Sequence, residues 1–157
     1  MKCRSTGLLL VALLSAGLLN CSKPLTVEQQ VIAMIREMET RLEAGERRPF
    51  MSHITEDFNG QNGLLNREEL QRFVILQLNR HQRLHAQLMP IRVSETGDGT
   101  AAASFKALIT GGPNWIPDSG QIYDFETHWL KQGDEWMLFS ASWTPVPLDE
   151  AVKYINE

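Results

Sequence analysis

Among the titratable side chains of this chain, His53, Asp57 and Tyr123 are the candidates for acid–base chemistry in a pocket. His53 and Asp57 are four residues apart, so on one helix they would lie on the same face and could share a proton inside a pocket, with Tyr123 as a third group. The alternative is a histidine beside a capping aspartate at a helix end, which performs no chemistry. The spacing alone therefore predicts no complete catalytic set.

A second pair, His81 and His85, has the four-residue spacing of two metal ligands on a helix. The helical pattern fades near Asn79 and a strand pattern begins at Leu84, so we expect the pair to straddle an element boundary. The sequence contains no H-E-x-x-H motif, nucleophile elbow, phosphate loop or dinucleotide glycine fingerprint. We therefore predict no metal site and no cofactor.

Cys21 lies just after an apolar run over residues 7–19, which follows a basic start. This order is typical of a cleaved export signal, and the run is too short to span a membrane. Its last residues, Leu18-Leu19-Asn20-Cys21, resemble the lipobox of bacterial lipoproteins, in which the cysteine is acylated and becomes the first mature residue. The resemblance implies a signal peptide over 1–20, a palmitate-type anchor on Cys21 and a tether over 21–25. The other interpretation is an ordinary secretory signal with an incidental cysteine.

The composition argues against several classes of function. Removing residues 1–20 takes away Lys2 and Arg4 and changes the formal net charge from −4 to −6. An acidic chain without a basic stripe argues against nucleic-acid binding and against a polybasic membrane contact, so a membrane partner would be held through lipid. Cys3 leaves with the signal and Cys21 would be consumed by acylation, which excludes a disulfide, a cysteine nucleophile and a thiolate zinc site.

Helical patterns come first in the remaining chain, with apolar residues at three- and four-residue steps. Thr26 with Gln29, and Asn66 with Glu69, form two capping-box patterns that indicate helix starts. The predicted helices cover residues 26–45, 50–58 and 66–80, with a loop at 59–63.

From residue 84 the apolar pattern has a period of two, which is typical of strands. We predict strands over 84–93 (bent at Pro90), 101–109, 123–129 and 136–143, and a small terminal helix over 148–155. Helices followed by antiparallel strands indicate an α+β domain, with three helices packed on one face of a strongly curved sheet. Its length favours one domain over residues 26–157.

The third predicted strand separates its side chains into two faces. Tyr123, Phe125 and Trp129 share one face, and their bulk indicates that this face points inward. Asp124, Glu126 and His128 would then point to solvent. A curved sheet covered by helices leaves a concave interior, and the residues predicted to line it are Phe73, Phe105, Tyr123, Phe125 and Trp129.

Several short segments resemble the nuclear transport factor 2-like superfamily, which also contains polyketide-cyclase-like and ketosteroid-isomerase-like proteins. The likeness runs from about Thr26 to Thr144 and is carried by 57–60, 63–70, 125–129, 133–136 and 140–144. The resemblance implies a cone-shaped, cystatin-like fold with a pocket at one end, and in many relatives a homodimer. It implies no particular activity, because this fold carries isomerases, dehydratases, cyclases and members without chemistry.

Trp115 and Ile116 stand in a segment rich in glycine and proline, where burying both is difficult. They would either offer apolar surface at the pocket mouth or to a partner, or fold back as a lid on the core.

Two functional hypotheses follow. In the first, a lipid-anchored cone domain without catalytic activity binds a small apolar ligand or a protein of the cell envelope. In the second, the same pocket performs cofactor-free isomerisation or dehydration with His53 or Asp57 and Tyr123. The missing acid–base constellation favours the first. Ser22 after the cysteine resembles the sorting signal of Gram-negative lipoproteins for the outer membrane, which implies a domain facing the periplasm.

We expect the protein purified from host membranes to begin at Cys21 with a diacylglyceryl group on the thiol, since the motif has the order and position of a lipobox. Intact-mass spectrometry and N-terminal peptide mapping would measure this. Cys21→Ser should abolish both the acylation and the membrane association. An unacylated N-terminus in a freely soluble protein would contradict the anchor.

Overall fold

The computed structural model describes residues 24–81, 83–112 and 119–147. Within these ranges the chain forms three α-helices, a short 3₁₀ turn and six strands. The helices are α1 (Val27–Glu43), α2 (Arg47–Ser52) and α3 (Arg67–Arg80). The strands are β1 (Ile54–Gly60), β2 (Arg83–Leu88), β3 (Arg92–Gly97), β4 (Thr100–Gly112), β5 (Ser119–Gln132) and β6 (Glu135–Pro145). None of the described helices has the length and apolar character needed to cross a bilayer.

Both predicted helix starts are confirmed. The Thr26 hydroxyl accepts a hydrogen bond from the Gln29 amide at 3.2 Å, and the Gln29 side chain accepts one from the Thr26 amide at 3.1 Å. Asn66 and Glu69 make the same reciprocal pair at 3.0 and 2.8 Å. Each box satisfies backbone donors that the first helical turn leaves unpaired, so α1 and α3 have defined beginnings.

The six strands form one curved sheet in the order β1-β6-β5-β4-β2, and β3 also pairs with β4. β4 and β5 pair antiparallel over twelve consecutive residue pairs, from Thr100 opposite Leu130 to Gly111 opposite Ser119. β2 and β3 lie along successive halves of β4. They therefore correspond to the long strand predicted to bend at Pro90.

The prediction for residues 50–63 was wrong in part. α2 is shorter and earlier than expected, and Ile54 and Phe58 belong to β1, which runs parallel to β6. The register of this pair shifts between Ile54 and Asn59. Ile54 and Phe58 are four residues apart, a spacing that fits one face of a strand as well as one face of a helix. Because β1 runs parallel to β6, the sheet is mixed, with one parallel pair at its edge.

The core lies between α1 and the concave face of the sheet. Ala101 and Ala103 of β4 are buried there, and their small side chains let α1 approach the sheet closely. Trp129 is 1% exposed, and its indole N–H donates to the Thr127 hydroxyl at 2.9 Å. That hydroxyl donates to the Ala103 carbonyl at 3.0 Å. Thr127 thus satisfies the polar atom of the largest buried side chain.

We expect Thr127→Val to reduce the free energy of unfolding by about 1–3 kcal/mol, because it leaves the buried indole N–H of Trp129 without an acceptor. Thr127→Ser is the matched control, since it keeps the hydroxyl. Chemical denaturation would measure both. A valine variant as stable as the serine variant would show that this bond does not hold the core.

Candidate ligand-binding cavity

A cavity of about 560 Å³ lies between α1, α3 and the concave face of the sheet. Ile35, Met38 and Leu42 of α1 form one side of it, and side chains of β2, β4, β5 and β6 form the other. Leu138 and Ala141 line it on β6. Ala101 and Ala103 of β4 pack in the core with α1, whereas β4 residues from Phe105 to Gly111 line the cavity.

Aromatic rings form a continuous wall along the sheet side of the cavity. Phe105 and Phe125 are stacked, with ring centroids 5.1 Å apart and an interplanar angle of 9°. The Phe125 ring lies 6.3 Å from both Tyr123 and Trp143, and Trp143 lies 5.9 Å from Phe73 of α3. Such offset and tilted contacts are favourable for rings, so the wall is a packed surface.

The structure places every residue that the sequence predicted for the lining on this cavity. These are Phe73, Phe105, Tyr123, Phe125 and Trp129. Asp124, Glu126 and His128 are exposed on the opposite face of β5, as the strand alternation requires. The binary pattern of β5 therefore identified which side of the strand meets the cavity.

His81 and Gly111 lie together at one end of the cavity. A Cβ atom on Gly111 would stand 2.5 Å from the His81 Nδ1 atom, which is closer than side chains approach one another. Glycine at this position lets the imidazole lie against β4.

Polar side chains on the cavity wall are few. In the described part of the chain they are Glu39, Gln77, His81, Thr110, Gln121, Tyr123 and Thr127. Three of them already make hydrogen bonds within the fold. The Thr127 hydroxyl bonds Ala103 and Trp129, the Gln121 amide donates to the carbonyls of Ile122 and Val146, and the Thr110 hydroxyl donates to the His85 carbonyl. No lysine, arginine or aspartate lines the wall among the described residues.

Glu39 and Glu43 of α1 lie along the free edge of β2. Glu43 accepts hydrogen bonds from the Ala86 amide at 2.7 Å and from His85 Nδ1 at 2.6 Å. One turn earlier, Glu39 lies beside the Leu88 amide. Four helical residues rise about 6 Å and two strand residues about 6.7 Å, so the two carboxylates match successive outward amides of the edge strand. The edge is thereby protected from pairing with another strand.

Glu39 is the perturbed acid of the cavity, and its side chain is 19% exposed. Burial raises the pKa of Glu39 above its usual value of 4.5, and the nearby carboxylate of Glu43 raises it further. Arg36, His85 and the Leu88 amide act in the opposite direction, but they do not cancel the rise.

Glu39 and His81 do not converge on one point. Glu39 lies beside Leu88, which is opposite Ala107, and His81 lies against Gly111, four residues further along β4. At 3.3 Å per strand residue these positions are about 13 Å apart, well beyond hydrogen-bonding distance. Glu39 and His81 therefore do not form an acid–base pair on the cavity wall.

The three residues of the predicted acid–base set are not assembled either. His53 follows α2, where its carbonyl accepts a hydrogen bond from the Leu138 amide, and Asp57 is exposed on β1. Neither lines the cavity, whereas Tyr123 does. The extended chain is the cause, because four residues of a strand span about 13 Å, whereas on a helix the two side chains would lie one turn apart.

His81 and His85 straddle an element boundary, as expected. α3 ends at Arg80, and His85 lies in β2 with its imidazole bonded to Glu43. Within residues 24–81, 83–112 and 119–147, no three His, Cys, Asp or Glu side chains stand close enough to hold a metal ion. Cys21, Trp115, Ile116 and the predicted terminal helix over 148–155 lie outside the described residues.

Trp143 and Glu39 are cavity residues that the sequence-based prediction of the lining did not include. Trp143 ends the aromatic wall, and its place in the last alternating strand was a usable signal. Glu39 follows Met38 and stands four residues after Ile35 on the apolar stripe of α1. A charged residue four positions after a buried apolar residue on the same helix was the signal that could have identified Glu39.

Solved structures share this fold. A candidate dehydratase of the nuclear transport factor 2-like family from Streptomyces avermitilis matches with a TM-score of 0.67 at 21% identity, over 76% of this chain and 96% of that one. A protein with a cystatin-like fold from Caulobacter vibrioides matches with a TM-score of 0.66 at 15% identity, over 79% of this chain and 92% of that one. Bd1075 from Bdellovibrio bacteriovorus matches with a TM-score of 0.66 at 10% identity. The match covers 75% of this chain but only 41% of Bd1075.

This chain has the nuclear transport factor 2-like cone fold. The matches and the three helices on a curved sheet agree on this point. No protein-family model and no curated protein matches the sequence. At these identities the likeness establishes the fold alone, and the function has to be argued from the cavity.

We expect Glu39→Gln to raise the melting temperature at pH 7. A carboxyl whose pKa is raised in the folded state binds its proton more tightly when folded, so its ionised form costs stability at neutral pH. That cost disappears as the pH falls, and the two proteins should converge near pH 4 and below, about the pKa of an unfolded glutamate. Melting curves across this range measure the effect.

Glu37→Gln is the control on the same helix, because the Glu37 carboxylate pairs with Arg41 at 2.6 Å. Glu37→Gln should not raise the melting temperature at pH 7. A melting temperature at pH 7 that is lower for Glu39→Gln than for the wild type would mean that ionised Glu39 stabilises the fold.

Proposed function

We propose that this chain is a lipid-anchored binding protein of the bacterial envelope, whose cone domain holds a small apolar ligand without chemical conversion. The observation that carries this is the cavity of about 560 Å³ with its continuous aromatic wall. Ligand sites of proteins have volumes of about 300–1,000 Å³ and are lined mainly by apolar and aromatic side chains with a few polar groups. The cavity has this size and this composition.

Packing supports a role for the empty space. Side chains normally fill a protein interior, and apolar cavities reduce stability in proportion to their volume. Ala107, which is 1% exposed, stands on the cavity floor where a larger side chain would fill part of it. A ligand that occupies the space would restore the lost contacts, and binding would stabilise the fold.

An enzymatic role is the second candidate, because a structural neighbour is a candidate dehydratase and because Glu39 and Tyr123 line the cavity. Isomerisation and dehydration need an acid and a base that reach the same substrate atoms. The separation of Glu39 from His81, and the absence of His53 and Asp57 from the wall, argue against it. Binding a protein of the envelope, or a second copy of the chain, would use other surfaces of the domain.

The location proposed for this function rests on Cys21 and Ser22. An acylated Cys21 would anchor the domain, and Ser22 at the next position is compatible with sorting to the outer membrane, facing the periplasm. A ligand-binding cone at this place would collect apolar molecules at the boundary between lipid and water.

We expect the purified full chain to bind the neutral fluorescent probe N-phenyl-1-naphthylamine, with a rise in probe emission. Ala107→Phe should weaken binding at least about tenfold, because the new ring occupies the space beside Phe105 and Tyr123. Ala102→Phe is the matched control, since Ala102 stands on the same strand but lines a groove on the outer face.

The melting temperatures of both variants show whether they fold. Loss of probe binding in folded Ala107→Phe alone supports the cavity as the site. Equal binding by the wild type and folded Ala107→Phe would place the probe elsewhere and refute the proposal.

A further inference from the structure

The charge of the cavity wall distinguishes between ligand classes. In the described part of the chain, Glu39 is the one acidic side chain on the wall, and neither lysine nor arginine accompanies it there. A fatty acid or another apolar anion would meet neither lysine nor arginine on the wall, with the His81 imidazole as the one basic side chain among the described lining residues, and it would bring its charge into a cavity that holds a carboxylate. Since an unpaired charge is costly to bury, apolar anions should be excluded.

The partners of Glu39 leave it able to receive a ligand. Arg36 is its ion-pair partner at 4.0 Å, but the Arg36 side chain is 59% exposed, so the pair is weak and faces water. The Leu88 amide is its other partner, and a carboxylate that accepts one such bond still has acceptor sites for a ligand. Glu43 adds negative charge nearby, although its own oxygen is bonded to Ala86 and His85. The Glu39 carboxylate is therefore the acidic group that a molecule inside the cavity can approach.

The position of Glu39 sets the orientation of such a molecule. Leu88, Ala107 and Tyr123 are opposite one another on β2, β4 and β5 and form one row across the sheet. Glu39 stands at the β2 end of this row and the Tyr123 ring at the other, two strand spacings or about 10 Å away. A ligand with a polar end at Glu39 would lay its apolar body on the aromatic wall.

The aromatic wall, like Glu39, favours a positively charged ligand over a negatively charged one. The faces of aromatic rings carry partial negative charge and attract cations. Phe105, Phe125 and Trp143 line the cavity, and a ring face that is open to it attracts a cation and repels an anion.

We propose that the cavity selects apolar molecules that carry one ammonium group, with the Glu39 carboxylate as the counter-ion and the aromatic wall as the site of the apolar body. This inference rests on the binding function proposed above and names its ligand class.

Three probes with the same ring system test it by isothermal titration calorimetry on the purified full chain at pH 7: 1-naphthylmethylamine, 1-naphthylmethanol and 1-naphthylacetate. We expect the amine to bind about tenfold more tightly than the alcohol, and the carboxylate to bind most weakly. Glu39→Gln should bring the amine and the alcohol to within about twofold of each other. Glu37→Gln, whose carboxylate is paired on α1 with Arg41, should keep the wild-type preference.

The outcomes separate the two proposals. If the alcohol binds as tightly as the amine in the wild type, or if Glu39→Gln keeps the preference, the charge selection is wrong while the apolar binding function stands. If none of the three probes binds, both proposals are wrong. If Glu37→Gln loses the preference as Glu39→Gln does, the effect comes from the general charge of α1 and the role of Glu39 is refuted.

Discussion

The long antiparallel pairing of β4 with β5 is the constraint on which the cavity depends. Twelve consecutive pairs fix the register, so alternate side chains of both strands face the helices over the whole length of the pair. Phe105 lies opposite Phe125, and Ala107 lies opposite Tyr123. A slip by one residue would turn this aromatic wall to solvent and bring Asp124 and Glu126 inside.

The cavity exists because the two halves of this strand pair are covered differently. Near Thr100 the small side chains of Ala101 and Ala103 allow α1 to pack on the sheet, and Trp129 fills what remains. Beyond Phe105 the cavity lies between the helices and the sheet, and α1 meets the edge strand β2 through Glu43. The same long strands thus make a dense core at one end and a space for a ligand at the other, and the carboxylates of α1 seal the β2 edge beside it.

The features of the fold that could be predicted from sequence are those set by residues close to one another along the chain. Capping boxes marked α1 and α3, and period-two alternation identified the inner face of β5. β1 was missed because its partner β6 is distant along the chain, and because the four-residue spacing of Ile54 and Phe58 fits a helix as well as a strand. Glu39 was missed because its environment is made by β2, and no local pattern announces that a helix will meet a strand edge there.

The central claim is that the cavity holds a small molecule. Native mass spectrometry of the full chain, purified from its host under mild conditions, tests it most directly. The account predicts a species heavier than the ligand-free chain by about a few hundred daltons, the mass of a molecule that fits such a site, and this mass should leave on extraction with organic solvent. A spectrum that contains only the ligand-free chain, together with an extract that holds no stoichiometric small molecule, would contradict the claim.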